Sequence, residues 1–240
     1  MQYILVHGAW QGGWCFEFLA EELIKLGNKV SCLDLPGHGK SPFPLSQATY
    51  EIYYHSLEEE IKKFDEVILV AHSMSGILAA PLLDKHSDRI SHLFLISAFV
   101  AQKGQSLLDV AIAGGPSEIP NLLITDEENQ TQSLDLIKAR EALFHDCPEE
   151  LADWAIQRLQ ANPIAPFITP VNWVDSGKTK EKRTYIVCED DRDVHPSTQL
   201  NILKNYPCLV IPFKSGHFPF LSKPKELAEI LNSRDESQRN

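Results

Sequence analysis

The sequence predicts an α/β fold with a mostly parallel sheet, and short apolar runs are the first observation behind this prediction. The runs show no alternation of apolar with polar residues. Strands that are buried on both faces have this pattern, and such strands are typical of parallel sheets. The six runs are Tyr3–Val6, Val30–Leu33, Val67–Val70, Leu93–Ser97, Tyr185–Cys188 and Leu209–Pro212.

Helical patterns between these runs are the second observation. Phe16–Leu26 carries apolar residues at three- and four-residue spacing and stops at Gly27. The same spacing recurs over Tyr50–Phe64, Ile77–Lys85 and Pro224–Leu231. Because parallel strands need crossover connections, the alternation of strands with helices predicts a central sheet with helices on both faces.

One region interrupts the alternation. Residues 101–182 contain no clear strand pattern, whereas Leu134–Phe144 and Glu149–Leu159 have helical patterns. We therefore expect a helical cap, residues 101–182, inserted into an α/β core formed by residues 1–100 and 183–240.

Composition limits the partners and the compartment. The 240 residues are 43% hydrophobic and 23% charged, with a formal net charge of −11. A negative surface repels phosphate backbones and anionic lipid, so we expect neither nucleic acid nor a membrane as a partner. Five cysteines without metal-binding spacing, and the lack of a signal-peptide pattern or long apolar span, favour a cytoplasmic protein without a metal.

The stretch VILVAHSMSG, Val67–Gly76, contains the first candidate for catalysis. A strand that leads through a serine into a helix places the hydroxyl of Ser73 at the C-terminal edge of the sheet, where open α/β sheets bind ligands. The turn resembles the nucleophile elbow G-x-S-x-G, although Ala71 and Ser75 replace its glycines. Both replacements are small. The alternative is that Ser73 only caps the following helix.

A nucleophilic serine needs a base and an orienting carboxylate, which follow it along the chain in this architecture. His217 lies just past the predicted strand Leu209–Pro212. Acidic residues follow the predicted strand Tyr185–Cys188, so the order serine, carboxylate, histidine is present. The residues themselves leave several carboxylates open as the partner, among them Asp190, Asp191 and Asp193.

An oxyanion hole needs two backbone N–H groups that point to the developing negative charge. We expect one from Met74, the residue after the candidate nucleophile, and the other from Ala9, in the loop after the first strand. Aromatic side chains are candidates for the wall of a substrate pocket, although such residues are more often plain core. The candidates are Trp10, Phe99, Trp154, Phe167 and Phe218.

Four motifs resemble the α/β-hydrolase superfamily. They are HGAW, DLPGHGKS, AHSMSG and SGHFPFLSKP. The longer stretches HGAWQGGWCF and RTYIVCEDDRDVHPSTQ are similar to the branch of plant methylesterases and hydroxynitrile lyases with their bacterial esterase relatives. The resemblance implies a serine-hydrolase fold with a helical cap over the active site, with Ser73 as nucleophile, His217 as base and Asp191 as acid.

The departures from this branch also carry information. Gly8 stands where the hydroxynitrile lyases have a threonine, and Phe218 stands where they have a lysine. Cyanohydrin cleavage therefore loses its support. The nucleophile position is not an aspartate, which disfavours the dehalogenase and epoxide-hydrolase mechanism.

We therefore expect a serine esterase that acts on a small-molecule carboxylic ester through an acyl-enzyme, without a cofactor. A homodimer is compatible with the sequence. Two alternatives stay open. One is a cofactor-free dioxygenase, in which the histidine and aspartate deprotonate the substrate and the serine is not acylated. The other is a ligand-binding homologue without catalysis, since one scaffold serves many functions.

Overall fold

The computed structural model describes residues 1–238, which form a central parallel sheet and a smaller antiparallel one. The strands are β1 (Gln2–Val6), β2 (Lys29–Leu33), β3 (Val67–His72), β4 (Ile90–Ile96), β5 (Leu123–Asp126), β6 (Thr131–Leu134), β7 (Asn162–Pro163), β8 (Arg183–Cys188) and β9 (Leu209–Phe213). The central sheet has the order β2-β1-β3-β4-β8-β9, and its neighbouring strands are parallel. The predicted α/β fold is therefore confirmed.

The helices alternate with the strands along much of the chain. They are α1 (Glu17–Lys25), α2 (Tyr50–Lys62), α3 (Gly76–Lys85), α4 (Leu107–Gly114), α5 (Leu136–Phe144), α6 (Glu149–Ile156), α7 (Ala165–Ile168), α8 (Pro196–Asn205), α9 (Pro219–Ser222) and α10 (Pro224–Gln238). The sequence patterns missed α8, because it is largely polar and buries only Thr198, Gln199 and Ile202. Within the described residues, no helix is long and apolar enough to cross a membrane.

The strand order determines where a site can form. The chain leaves β1 in one direction, toward β2, and leaves β3 in the other, toward β4. Right-handed crossovers then place α1 on one face and α3 on the other. The packing of α1 against α10, and of α2 against α3, agrees with this arrangement. The carboxyl ends of β1 and β3 therefore border the crevice in which doubly wound sheets bind ligands.

The segment between β4 and β8 differs from the expectation of helices only. It contains α4 to α7, but also β5, β6 and β7, which pair as an antiparallel sheet. These strands are four, four and two residues long, and β5 leaves three of its residues exposed. The apolar run at β5 is therefore only three residues long, residues 122–124, and is shorter than the runs that mark the central sheet. We propose that residues 101–182 are the cap and that residues 1–100 and 183–238 are the core; residues 239 and 240 of the predicted core lie outside the described residues.

Candidate active site

Ser73 lies directly after β3 in a strained backbone conformation. Its φ is 52°, in the left-handed region that costs a non-glycine residue on the order of 1–3 kcal/mol. A 3₁₀ turn, Ser73–Ser75, leads into α3, and Phe99 N donates a hydrogen bond of 3.0 Å to Ser73 O. The N-cap residue of the 3₁₀ turn is His72 and that of α3 is Ser75, and neither side chain makes a capping hydrogen bond. Ser73 is therefore not a helix cap, and its strain is of the kind that clusters at functional positions.

The structure explains why small residues occupy the turn around Ser73. Ala71 and Ser75 are fully buried, and Ser75 Oγ lies 2.9 Å from both Val6 O and His72 O. This hydroxyl links the ends of β1 and β3. The closest backbone approach is one residue later, because a Cβ on Gly76 would lie 2.4 Å from Phe99 O. The position that requires glycine is therefore Gly76.

His217 and Asp191 form a buried pair above the ends of β8 and β9. His217 Nδ1 lies 2.6 Å from Asp191 Oδ2, and both side chains are at most 2% exposed. Asp191 Oδ1 accepts hydrogen bonds from the backbone N–H groups of Asp193 at 2.8 Å and Val194 at 2.9 Å. The loop backbone thus fixes the carboxylate, and the carboxylate holds a proton on Nδ1. The other ring nitrogen, Nε2, is left for chemistry.

The imidazole of His217 lies next to the serine turn. The ring centroids of His72 and His217 are 4.5 Å apart, and His72 Nε2 donates to His217 O at 2.9 Å. Burial lowers the pKa of His72 well below its usual value, so this ring is neutral. Burial also opposes protonation of His217, but the charges of Asp191 and Asp193 outweigh it and raise the pKa of His217 to about 8.

The two other candidate carboxylates lie in different places. Asp190 forms an ion pair with Lys214 at 2.5 Å on the surface. Asp193 Oδ2 lies 3.3 Å from His217 Nε2, on the side of the ring opposite to Asp191. Among the three aspartates, Asp191 is therefore the one that contacts Nδ1.

The loop after β1 lies against the serine. A Cβ on Gly8 would lie 2.8 Å from Ser73 Cβ, so only glycine allows this approach. His7 supports the loop from below: its Nδ1 donates to Gly8 O at 2.7 Å, and its Nε2 accepts from Leu35 N at 3.1 Å. Burial lowers the pKa of His7 to about 4, so it is neutral. Ala9, the next residue, lines the same cavity as Ser73 and Met74.

The cap is tied to this loop by the side chain of Asn162 and the backbone N–H of Gln160. Trp10 has a φ of 62°, and its N–H donates to Asn162 Oδ1 at 3.3 Å. Gln160 N donates to Trp10 O at 3.0 Å. The Gln160 side chain accepts from Gly39 N at 2.8 Å. The backbone next to Ala9 is therefore held from the core and from the cap.

A cavity of about 390 Å³ lies between the core and the cap. Ser73, Ala9 and Met74 line it from the core, as do the predicted pocket residues Trp10 and Phe99. Phe167, also predicted, lines it from the cap, where its ring lies 5.7 Å from that of Trp10.

Two predicted pocket residues lie elsewhere. Trp154 packs edge-on against Trp14 and Phe18, at centroid distances of 5.3 and 5.5 Å. Phe218 is buried behind His217 and packs against Phe144 at 4.5 Å. Neither lines the cavity, so the prediction that they form its wall is wrong. The sequence shows that both side chains are apolar but not which way they face.

Much of the cavity wall was missed from the sequence. Cap residues such as Leu107, Ala111 and Ile119 line it, and so does Thr198 of the missed helix α8. The run Leu107–Gly114 is a signal that could have identified α4, because apolar residues fill nearly all of its eight positions. Among the described residues, no group of three or more His, Cys, Asp and Glu side chains could hold a metal ion.

Comparison with known proteins adds independent information. The model of the alpha/beta hydrolase family matches residues 3–230. A carbendazim hydrolyzing esterase of Nocardioides sp. (strain SG-4G) is 29% identical over 95% of this chain and 97% of its own length. Methylesterase 2 of Arabidopsis thaliana is 30% identical over 95% of this chain and 94% of its own. A pyrethroid hydrolase structure from Sphingobium faniae JZ-2 has a TM-score of 0.86 and 26% identity, covering 98% of this chain and 97% of that chain.

Proposed function

Since the chain belongs to the alpha/beta hydrolase family, in the branch that holds the plant methylesterases, we propose that it hydrolyses small carboxylic esters through an acyl-enzyme. Ser73 is the nucleophile, His217 the base and Asp191 the orienting acid. The names of the relatives support this class of reaction, because two are esterases and the third is a pyrethroid hydrolase.

The feature that supports this function best is the buried His217–Asp191 pair beside a strained serine. Asp191 holds the Nδ1 proton at 2.6 Å, so the neutral imidazole presents Nε2 as a base. Ser73 follows His72, whose ring centroid lies 4.5 Å from that of His217. Ser73 also lines the cavity. These contacts support the assignment of Ser73, His217 and Asp191 to the nucleophile, base and orienting group of an acyl transfer.

The reaction begins when His217 Nε2 takes the hydroxyl proton of Ser73 and the oxygen attacks the ester carbonyl. The N–H groups of Ala9 and Met74 stabilise the oxyanion of the tetrahedral intermediate. His217 then gives the proton to the leaving alcohol, and the acyl group stays on Ser73. Water, deprotonated by His217, cleaves the acyl-enzyme and releases the acid. Asp191 stabilises the imidazolium in each step without taking the proton itself.

The experiment uses p-nitrophenyl esters of increasing acyl length together with a fluorophosphonate probe. Ser73→Ala should lower kcat by a factor of about 10⁴–10⁶ and abolish labelling, while circular dichroism stays unchanged. Ser91→Ala is the matched control, because Ser91 Oγ only bonds Val67 O at 3.0 Å at the other end of the sheet. It should label and turn over like the wild type.

Other outcomes would favour the alternatives. Consumption of a heteroaromatic substrate with dioxygen, without labelling of Ser73, would favour the dioxygenase. Tight ligand binding without turnover would favour the non-catalytic homologue. A Ser73→Ala variant that keeps more than about a tenth of the wild-type rate would remove Ser73 as nucleophile.

A further inference from the structure

Asp193 has no role in the reaction described above, yet it lies at the reacting end of the cavity. Its Oδ2 is 3.3 Å from His217 Nε2, the nitrogen that must exchange protons with Ser73 and with the leaving alcohol. Its Oδ1 is 3.5 Å from Ser117 Oγ, and the side chain is only 11% exposed. The imidazole is thus held between two carboxylates, Asp191 on Nδ1 and Asp193 on Nε2.

The surroundings of Asp193 disfavour a negative charge. The cavity is lined mainly by apolar side chains, and none of the described residues that line it is a lysine or an arginine. Burial raises the pKa of Asp193, and the positive charge of His217 opposes that rise. The neighbouring Arg192 does not compensate it, because its guanidinium pairs with Glu141 at 2.8 Å. Protonated His217 is therefore the cation that faces Asp193 in the described structure.

The position of Asp193 identifies which part of a substrate it meets. His217 Nε2 must donate its proton to the oxygen of the leaving alcohol. A carboxylate within 3.3 Å of this nitrogen therefore lies beside the alcohol portion, not beside the carbonyl oxygen, which points to Ala9 and Met74. When His217 is neutral, as the reaction requires, Asp193 loses this cationic partner, and a carboxylate in an apolar pocket then attracts a charged hydrogen-bond donor strongly.

We propose that Asp193 makes this site selective for esters whose alcohol carries a protonated amine two to three bonds from the ester oxygen. The inference rests on the proposed ester hydrolysis and specifies its substrate class. The ammonium group donates to Asp193, while the acyl group occupies the apolar part of the cavity. The net charge of −11 further favours the approach of a cation.

Binding of such a substrate also prepares the base. Before binding, Asp193 stabilises the proton on His217 Nε2, and a protonated imidazole cannot deprotonate Ser73. The ammonium replaces the imidazolium as the partner of Asp193, and the Nε2 proton leaves to solvent. A neutral ester lacks this effect, so it depends on higher pH to free the base.

The test compares two esters of nearly the same shape, 2-(dimethylamino)ethyl butanoate and 3-methylbutyl butanoate. The first carries a protonated amine at neutral pH, and the second has a CH group in its place. Butanoate release is followed at pH 7, corrected for the hydrolysis without enzyme. Wild-type protein should prefer the amino ester by at least about tenfold in kcat/KM, which is the scale of one hydrogen bond to a charged group.

Asp193→Asn keeps the shape and removes the charge, so it should lower this preference at least about tenfold. It should not lower kcat/KM for the neutral ester. Asp193→Ala should show the same loss of preference, and thermal unfolding verifies that both variants fold. Asp190→Asn is the matched control, since it removes a charge from the same loop outside the cavity, where Asp190 pairs with Lys214. It should keep the wild-type preference.

The pH profile is a second readout. Below pH 8, kcat/KM for the neutral ester should be higher in Asp193→Asn than in the wild type, because His217 loses one of the anions that raise its pKa. The other titratable side chains around the imidazole and its loop stay in place in this variant. They are Asp191, His72, His145 and Asp146. A mere packing role for Asp193 would not move this profile.

Three results would overturn the inference. One is an unchanged ester preference in Asp193→Asn. Another is an equal loss for both esters, which would make Asp193 part of the chemistry for all substrates. The third is a wild-type preference for the neutral ester. Failure of the proposed function itself looks different, because neither ester would then be hydrolysed and the fluorophosphonate would not label Ser73.

Discussion

The core and the cap contribute to the cavity in different ways. Core residues such as Ser73 and Ala9 follow the ends of the parallel strands β3 and β1, and Phe99 N donates a backbone hydrogen bond to Ser73 O. Cap residues such as Phe167 come from helices as short as four residues. For the proposed reaction we expect a division of labour, in which the core determines the rate of bond cleavage, the cap determines which acyl chain is accepted, and Asp193 of the core selects the alcohol.

After Ser73→Ala, the largest expected effect in the core is that of Asp191→Asn. The amide oxygen would accept from Asp193 N and Val194 N as the carboxylate does, so its NH₂ group would face His217 Nδ1. The imidazole proton would then move to Nε2, and kcat should fall by about 10⁴. Steady-state kinetics measures this, and Asp190→Asn should stay near wild type. A larger loss in Asp193→Asn than in Asp191→Asn would mean that the two aspartates exchange roles.

The pH dependence gives the next largest effect. The pKa of His217 is raised to about 8, so the base is protonated and inactive below this pH. For a neutral ester, kcat/KM should rise about tenfold per pH unit below pH 7 and level off above pH 8, a difference of about 50-fold between pH 6 and 8. Rates on a neutral p-nitrophenyl ester from pH 5.5 to 9.5 measure the profile. A plateau that already starts at pH 6 would show that the flanking carboxylates do not act on His217.

The cap side is tested by a pair of aromatic substitutions. Phe167→Ala removes a ring that lines the cavity, so kcat/KM for long acyl chains should fall about tenfold while kcat changes little. Trp154→Ala removes a larger ring that packs outside it, so it should lower stability but leave these kinetic constants near wild type. Kinetics across an acyl-length series with thermal unfolding separates the two. Equal kinetic losses in both variants would contradict the division between core and cap.

The smallest expected effect is that of Ser75→Gly in the elbow. The hydroxyl bonds to Val6 O and His72 O, so its loss and the added chain entropy should cost about 1–2 kcal/mol of stability. Backbone geometry changes little, and kcat should stay within a few-fold. Denaturant unfolding and kinetics measure both, with Ser75→Ala as the control that avoids the added chain entropy. A fall in kcat as large as that in Ser73→Ala would place Ser75 in the chemistry.

The same division explains what the sequence could predict. Buried strands leave apolar runs, so the positions of Ser73, Asp191 and His217 at strand ends could be predicted from the chain. The sequence does not show in which direction a side chain points. The sequence therefore predicts Phe218 in the pocket, although its ring packs against Phe144. Asp193 could be named only as an alternative acid, because its contact with Nε2 depends on the conformation of a loop.

Gln160 and Asn162 determine where the cap of this protein can be exchanged for that of another hydrolase. Both belong to the proposed cap, yet they hold Trp10 in the loop after β1, next to Ala9. A chimaera whose foreign segment ends before residue 160 retains these hydrogen bonds and the conformation that they give to the loop after β1. A junction placed after residue 162 replaces both residues, so recombination there must re-create the side-chain contact of Asn162 with Trp10 N and a backbone N–H that reaches Trp10 O.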